Sequence, residues 1–214
     1  MKIIAASDMH IGYEFSNRAK ISEFLDKVYE EKPDLFVLNG DIIDLWRMGF
    51  KQIRKENFIN ISKINNISKT IPTVWVKGNH DISVPEKAFP DIMFADTFFE
   101  FGKFHFEHGH LLDSSIAKYA WIFKYIPVIF PKFYQIFLAK HEKVIEEDYG
   151  IGWYEMHDKA KAFIMKHDMS VIIGHSHAPQ VKELSGRYMG DSGDFIDSCS
   201  YLVIDDNTVR LERI

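Results

Sequence analysis

The chain is poor in several things that would each have named a class of protein. It has one cysteine, Cys199, in 214 residues. No disulfide can form within it and no thiolate cluster can hold a metal, so a reducing, intracellular setting is the expectation. It has no unbroken apolar run near the ~20 residues that span a bilayer, and "MKIIAASDMH" reads as a first strand rather than a leader. It lacks a global basic excess: the formal net charge is -5, unlike proteins that grip nucleic acid through many phosphate contacts. It also lacks internal repeats and low-complexity linkers. With 46% hydrophobic residues there is enough apolar material for one well-buried core. A single domain over 1–214 is expected, with a helical insertion at about 111–169.

What is present is a rhythm. "KIIAAS", then Arg18 to Glu31, "DLFVLNG", Lys51 to Lys69 and "TVWVKG" alternate β-branched runs with helical patterns, the signature of a parallel sheet with crossover helices. In such sheets, sites form beyond the carboxyl ends of the strands. The second half changes style. "TFFEFGKFHFEHGH" alternates about Gly102-Lys103, and "YLVIDDNTVRLERI" turns about Asp206-Asn207, so each predicts an antiparallel hairpin. The expectation is two sheets packed together with helices outside. Leu111 to Met169 reads as mostly helical, broken at Pro127 and Pro131.

Polar residues gather where the strands end: "SDMH" (Ser7 to His10), "GDIID" (Gly40 to Asp44), "GNHD" (Gly78 to Asp81), "HGH" (His108 to His110) and "GHSH" (Gly174 to His177). Asp8 and His10, like His175 and His177, stand two apart, so in extended backbone each pair would project to one side. Such pairs suit metal ligation, although one H-x-H alone is as readily a pair of ordinary hydrogen-bonded histidines. Asp81 is either a partner for His80 or a turn cap. Asp44 is either an acceptor behind a ligand or the cap of a helix starting at Leu45.

In this order and after these strands, the five motifs closely resemble the calcineurin-like metallophosphoesterase family over Asp8 to His177. The resemblance implies a four-layer α/β/β/α sandwich of two mixed sheets, with two divalent cations in its crevice. It implies Asp8, His10, Asp41 and His177 for the first cation and Asn79, His108 and His175 for the second, Asp41 being shared. Two such cations lie about 3.5 to 4 Å apart, and the positive charge left over after two carboxylates acidifies water and draws in phosphate. A nitrogen and oxygen donor set without sulfur suits manganese, iron, zinc or cobalt. Manganese is expected first from the resemblance. The implied reaction is attack of a metal-bridging hydroxide on a phosphodiester or pyrophosphate, with His80 protonating the leaving oxygen and Asp81 holding its ring. His110, two residues beyond His108, and Arg47 are read as substrate contacts. His105, His141, His157 and His167 match no motif and read as packing or polar residues.

"SDMHIG", "GDIIDLW", an insertion after "HGH" and "RYMGDSGDF" after "GHSHAP" are also similar to the UDP-2,3-diacylglucosamine hydrolase group, in which some members carry Arg where His80 stands. That likeness implies a lipid-linked nucleotide as substrate. Residues 114–141 carry Lys118, Lys124, Lys132 and Lys140 among Tyr119, Trp121, Phe123 and Phe133, with no acidic residue. Such a segment either lies on an anionic lipid surface or packs its apolar side on the sandwich or a second subunit. A cytoplasmic protein touching the inner face of the membrane is the corresponding expectation. The alternatives are a general phosphodiesterase, nucleotide phosphatase or nuclease of the same family, and a non-catalytic metal-binding scaffold.

Overall fold

The computed structural model describes residues 1–114, 155–206 and 208–214. Eleven strands form two sheets among these residues. The six-stranded sheet has the order β11-β10-β1-β2-β3-β4, with β1 at Lys2–Ala6, β2 at Leu35–Asn39, β3 at Thr73–Val76, β4 at Ile92–Ala95, β10 at Ser200–Asp205 and β11 at Thr208–Arg213. β1 through β4 run parallel, β10 pairs antiparallel with β1, and β11 pairs antiparallel with β10. The five-stranded sheet has the order β5-β6-β7-β9-β8. Its strands are β5 at Phe98–Phe101, β6 at Phe104–Glu107, β7 at Ser170–Ile173, β8 at Gln180–Leu184 and β9 at Arg187–Asp191.

The layering follows from the twofold alternation of side chains along buried strands. Ile4, Ala6, Phe36, Leu38, Trp75, Tyr201 and Val203 point to one face and pack on Ile21, Phe24, Leu25 and Val28 of helix α1 (Arg18–Glu31) and on Ile53, Ile61, Ile64 and Ile67. Their neighbours Ile3, Ala5, Val37, Val74, Val76, Leu202 and Ile204 point to the other face and meet Phe104, Phe106 and Ile172 of the second sheet. On that sheet's far side, Val171, Ile173 and Met189 receive Met156, Ala160 and Ile164 from a helical stretch at 155–167. Three apolar seams therefore stack helices, sheet, sheet and helix, the four-layer sandwich.

Helix α1 and both hairpins lie where the sequence places them. The helix expected over Lys51 to Lys69 is two: α2 at Phe50–Glu56 and α3 at Phe58–Ser68. Asn57 divides them, leaving helical geometry at φ -120° while its side-chain amide donates to the Ile53 carbonyl, the competition with backbone bonding that makes Asn a poor mid-helix residue. Three strands were not anticipated, β4 on one edge and the β8–β9 pair. Most of the expected helical insertion lies outside the described residues, and so does all of 114–141 except Ser114.

Phe24 is fully buried against the rings of Phe36, Phe195 and Tyr201. Phe24→Ala should lower stability by about 3 to 5 kcal/mol, measured as a fall in the urea midpoint at unchanged slope.

Candidate metal centre

Every motif residue lies just past a strand end, and the loops there are tied to each other. Asp8 N donates to the Gly40 carbonyl at 3.0 Å, His10 N to that of Asp41 at 2.9 Å, and Gly174 N to that of His108 at 3.0 Å. Where backbone and ligands crowd, the glycines have no room for a side chain. A Cβ on Gly40, at φ +89°, would collide with the ring of His108, and one on Gly174 with Ser7 and the Asp8 carboxylate.

The two buried carboxylates share one design. Asp8 Oδ2 accepts from the His175 backbone N–H at 2.9 Å and from the Ser7 hydroxyl. That leaves Oδ1 facing His177 Nε2 at 3.3 Å, His10 Nε2 at 3.7 Å and His108 Nε2 at 4.0 Å. Asp41 Oδ1 accepts from the His80 backbone N–H at 2.8 Å, and its Oδ2 faces His108 Nε2 at 3.1 Å. His108 Nδ1 lies 3.0 Å from the Asn39 carbonyl, which fixes the proton there and turns Nε2 inward as a donor pair for a cation.

Three groups result whose candidate ligand atoms lie within 4.8 Å of one another: Asp8, His10 and His177; Asp41, His108 and His175; and His10, Asp41 and His80. The buried Asp8 Oδ1, His10 Nε2, His108 Nε2 and both amide atoms of Asn79 have no hydrogen-bond partner among the described residues. Each such atom costs about 1 to 3 kcal/mol if nothing binds it, so this donor set fits divalent cations of the manganese, iron, zinc or cobalt kind.

The electrostatics point the same way. Burial alone would lift all three carboxyls, yet His108 beside Asp8 and Asp41, and His80 beside Asp44, hold them well below the usual carboxylate range. Against its own burial, His108 is raised to about 9 by Asp41 and Asp8. The crevice thus holds carboxylates that stay charged and attract positive charge into a buried place, whether protons or metal ions.

The pairs two apart do converge, but not through extended backbone. Asp8, His10, Asp41, His175 and His177 all have φ between 45° and 68°, the left-handed region that Asp and His enter more readily than most residues. Such backbone costs on the order of 1 kcal/mol or more at each position and persists only where its surroundings enforce it. It sends the His175 ring to the group with Asp41 and His108, and the His177 ring to the group with Asp8 and His10.

One expectation changes. Asp81 does not hold the His80 ring. Its Oδ2 accepts from Ile42 N at 2.8 Å and Trp75 Nε1 at 2.9 Å, and its Oδ1 from Gly78 N at 2.7 Å. With one donor from the loop after β2 and two from β3 and its loop, both oxygens of Asp81 are engaged away from the ring. Asp44 takes that place, with Oδ1 3.1 Å from His80 Nδ1 and Oδ2 3.4 Å from His10 Nδ1. It also caps a turn, accepting from Trp46 N and Arg47 N, each at 3.2 Å; no helix starts at Leu45, since α2 begins at Phe50, so the acceptor reading of Asp44 holds and the helix cap is a turn cap instead.

Trp46 stacks on His80 with ring centroids 3.9 Å apart. Arg47 lies over the Tyr13 ring at 4.0 Å, with Nε 3.4 Å from Asp44 Oδ2, which brings it to the rim beside His80. His110 is buried against His108 and His175, at 5.5 and 6.4 Å between ring centroids; burial and those two neighbours pull it down to about 3. Asp113, which the motifs did not flag, places Oδ2 3.4 Å from His175 Nε2. Its only signal in sequence is an acid shortly after "HGH".

Removing each acid should separate the two roles. Asp81→Ala strands three buried N–H groups and should cost at least about 3 kcal/mol of stability, whereas Asp44→Ala loses a cap worth about 1 kcal/mol. Urea unfolding of the two variants measures the order, and the reverse order would return Asp81 to the ring.

The comparisons with known proteins agree with this geometry. Over 81 residues the chain is 30% identical to an uncharacterized metallophosphoesterase of Campylobacter jejuni; the match takes in 38% of the chain and spans about a fifth of that relative, 20% of its length. Among solved structures, the phosphoesterase Yfce of E. coli superposes at a TM-score of 0.53 with 14% identity, covering 100% of this chain and 93% of that one. A doubly substituted Vps29 of Entamoeba histolytica superposes at 0.50 with 14% identity, covering 100% and 98%; at such identities these two speak for the fold. The sequence profile described as calcineurin-like phosphoesterase matches residues 1–179, and the chain belongs to that family.

Proposed function

We propose that the chain is a dinuclear, metal-dependent phosphoesterase that hydrolyses a phosphodiester or pyrophosphate bond. The observation that supports it most is the gathering of ligand atoms from Asp8, His10, Asp41, His108, His175 and His177 into groups within 4.8 Å, with the Asn79 amide buried and unpartnered as well. Asp8, His10, Asp41 and His177 would hold one cation, and Asn79, His108 and His175 the other, with Asp41 shared. Bound there, manganese or a similar pair supplies Lewis acidity and acidifies water.

The chain's own groups do the rest. The backbone N–H groups of His175 and His80 hold one oxygen of each carboxylate, so the second oxygen is aimed before anything binds. His80 carries a proton on Nε2 to the leaving oxygen, while Asp44 at Nδ1 and the face of Trp46 keep its ring in position. Arg47 and His110 meet the substrate's remaining oxygens. The purified protein should bind two manganese equivalents and hydrolyse bis(p-nitrophenyl) phosphate. His80→Ala should keep both equivalents and lose about 10²- to 10⁴-fold in turnover, less for esters whose leaving groups need no proton. Loss of one equivalent would make His80 a ligand, as its nearness to His10 and Asp41 allows.

The substrate we assign is a lipid-linked nucleotide pyrophosphate of the UDP-2,3-diacylglucosamine kind, met at the cytoplasmic face of a membrane. The motif likeness supports it, as does the basic, aromatic composition of 114–141. No described helix is long and apolar enough to cross a bilayer. Four lysines attract an anionic surface at about 1 kcal/mol each, and the aromatics add a salt-resistant share. Replacing Trp121, Phe123 and Phe133 with Ser should weaken liposome binding and turnover of an acylated substrate while sparing bis(p-nitrophenyl) phosphate. Equal loss on both substrates would assign that face to packing.

A further inference from the structure

Behind the loop that carries His175 and His177 lies a second buried polar chain, which the chemistry above does not use. Ser176 sits between the two histidines. Its hydroxyl donates to Asp191 Oδ2 and accepts from Ala178 N at 3.0 Å. Asp191, the last residue of β9, is fully buried, and the same Oδ2 lies 2.9 Å from His157 Nε2. Its Oδ1 accepts from Gly193 N at 3.0 Å. Gln180 Nε2 approaches His157 Nδ1 at 2.9 Å. His157 is thus held at both ring nitrogens, by the Asp191 carboxylate and by the Gln180 amide.

His157 belongs to the helical stretch 155–167. The same stretch is sealed to the second sheet through Met156, Ala160 and Ile164 and reaches the segment after His108, where Lys159 Nζ donates to the Leu112 carbonyl at 2.8 Å. It therefore meets the segment after His108 directly and reaches the loop of His175 and His177 through Asp191. The left-handed backbone of His175 and His177, at φ 68° and 55°, needs an enforcing contact, and between them the one side chain anchored to the sheet is that of Ser176.

We infer that His157 and Asp191 are positioning residues, which act through Ser176 to hold the loop of His175 and His177 in the shape that presents both imidazoles to the cations. Neither residue touches the reacting atoms. The inference rests on the functional reading above, because it takes those two histidines to be ligands. Its consequence is that the helical stretch at 155–167 helps to set metal affinity.

Calorimetric titration of the full-length, metal-free chain with manganese tests it. Ser176→Ala and His157→Phe should fold with melting temperatures within a few degrees of wild type, yet bind manganese about 10- to 100-fold more weakly. Ser176→Thr, which keeps the hydroxyl, should restore affinity. Turnover of bis(p-nitrophenyl) phosphate by Ser176→Ala should fall at low manganese and recover at saturation, which a general loss of fold would not do. Wild-type affinity in both weakened variants would overturn the inference alone. Failure of the wild-type chain to bind manganese would overturn the functional reading and this inference with it.

Discussion

The crevice depends on a single carboxylate that spans two layers. Asp8 lies just past β1 in the first sheet, and its Oδ2 is bound by the backbone N–H of His175, just past β7 in the second. Without that bond the sheets would still share their apolar seam and the bonds of the Asn39 amide to the Glu107 and Ile172 carbonyls, but the free oxygen of Asp8 would lose its aim. With it, Asp8 Oδ1 is aimed among His10, His108 and His177, residues from both sheets. Asp41 repeats the arrangement within the first sheet by bonding the N–H of His80. A carboxylate tied by one oxygen has little freedom left in the other, so the site is organised before any ligand arrives.

Neighbouring acids of one chemical type do three different things here because their surroundings differ. Asp41 is encircled by imidazoles and stays charged. Asp44 turns one oxygen to each of two rings while capping a turn. Asp81 is enclosed by backbone and indole N–H groups, and burial together with the charge of Asp41 lifts it to about 6, the value of a structural acceptor in a tight place rather than of a paired anion. Position in a motif does not distinguish these roles. Which donors reach each oxygen does.

Much of this was legible in sequence, for identifiable reasons. Parallel strands buried on both faces announce themselves as short apolar runs, and α1 shows its buried stripe at helical spacing, so the βαβ half and the polar clusters at its strand ends could be placed. The hairpin at Gly102 carries an obvious turn. What could not be read depends on long-range packing. Asn57 interrupts an apolar pattern that continues across it. β8 and β9 are half-buried strands, Gln180–Leu184 and Arg187–Asp191, whose mixed composition lacks alternation. The partner of His80 was misassigned because adjacency in "GNHD" suggested Asp81, while the acid that reaches the ring comes from another loop, 36 positions earlier at Asp44. The left-handed backbone at the histidines has no signature beyond the tolerance of Asp and His for it.

The span of that bond between Asp8 and His175, 167 positions along the chain, also bears on how the protein is made. The donors of the first sheet are synthesised long before those of the second, and no compact early fragment contains a complete set from either proposed cation. In the proposed reading, capture of metal therefore belongs after the sheets dock, at the end of folding rather than as its nucleus. In that respect the chain is the opposite of a zinc finger, in which the ion organises a peptide too small to fold alone. A nascent chain of this kind can emerge in a metal-poor moment, reach its architecture through apolar burial, and be loaded later from whichever divalent pool the cell maintains.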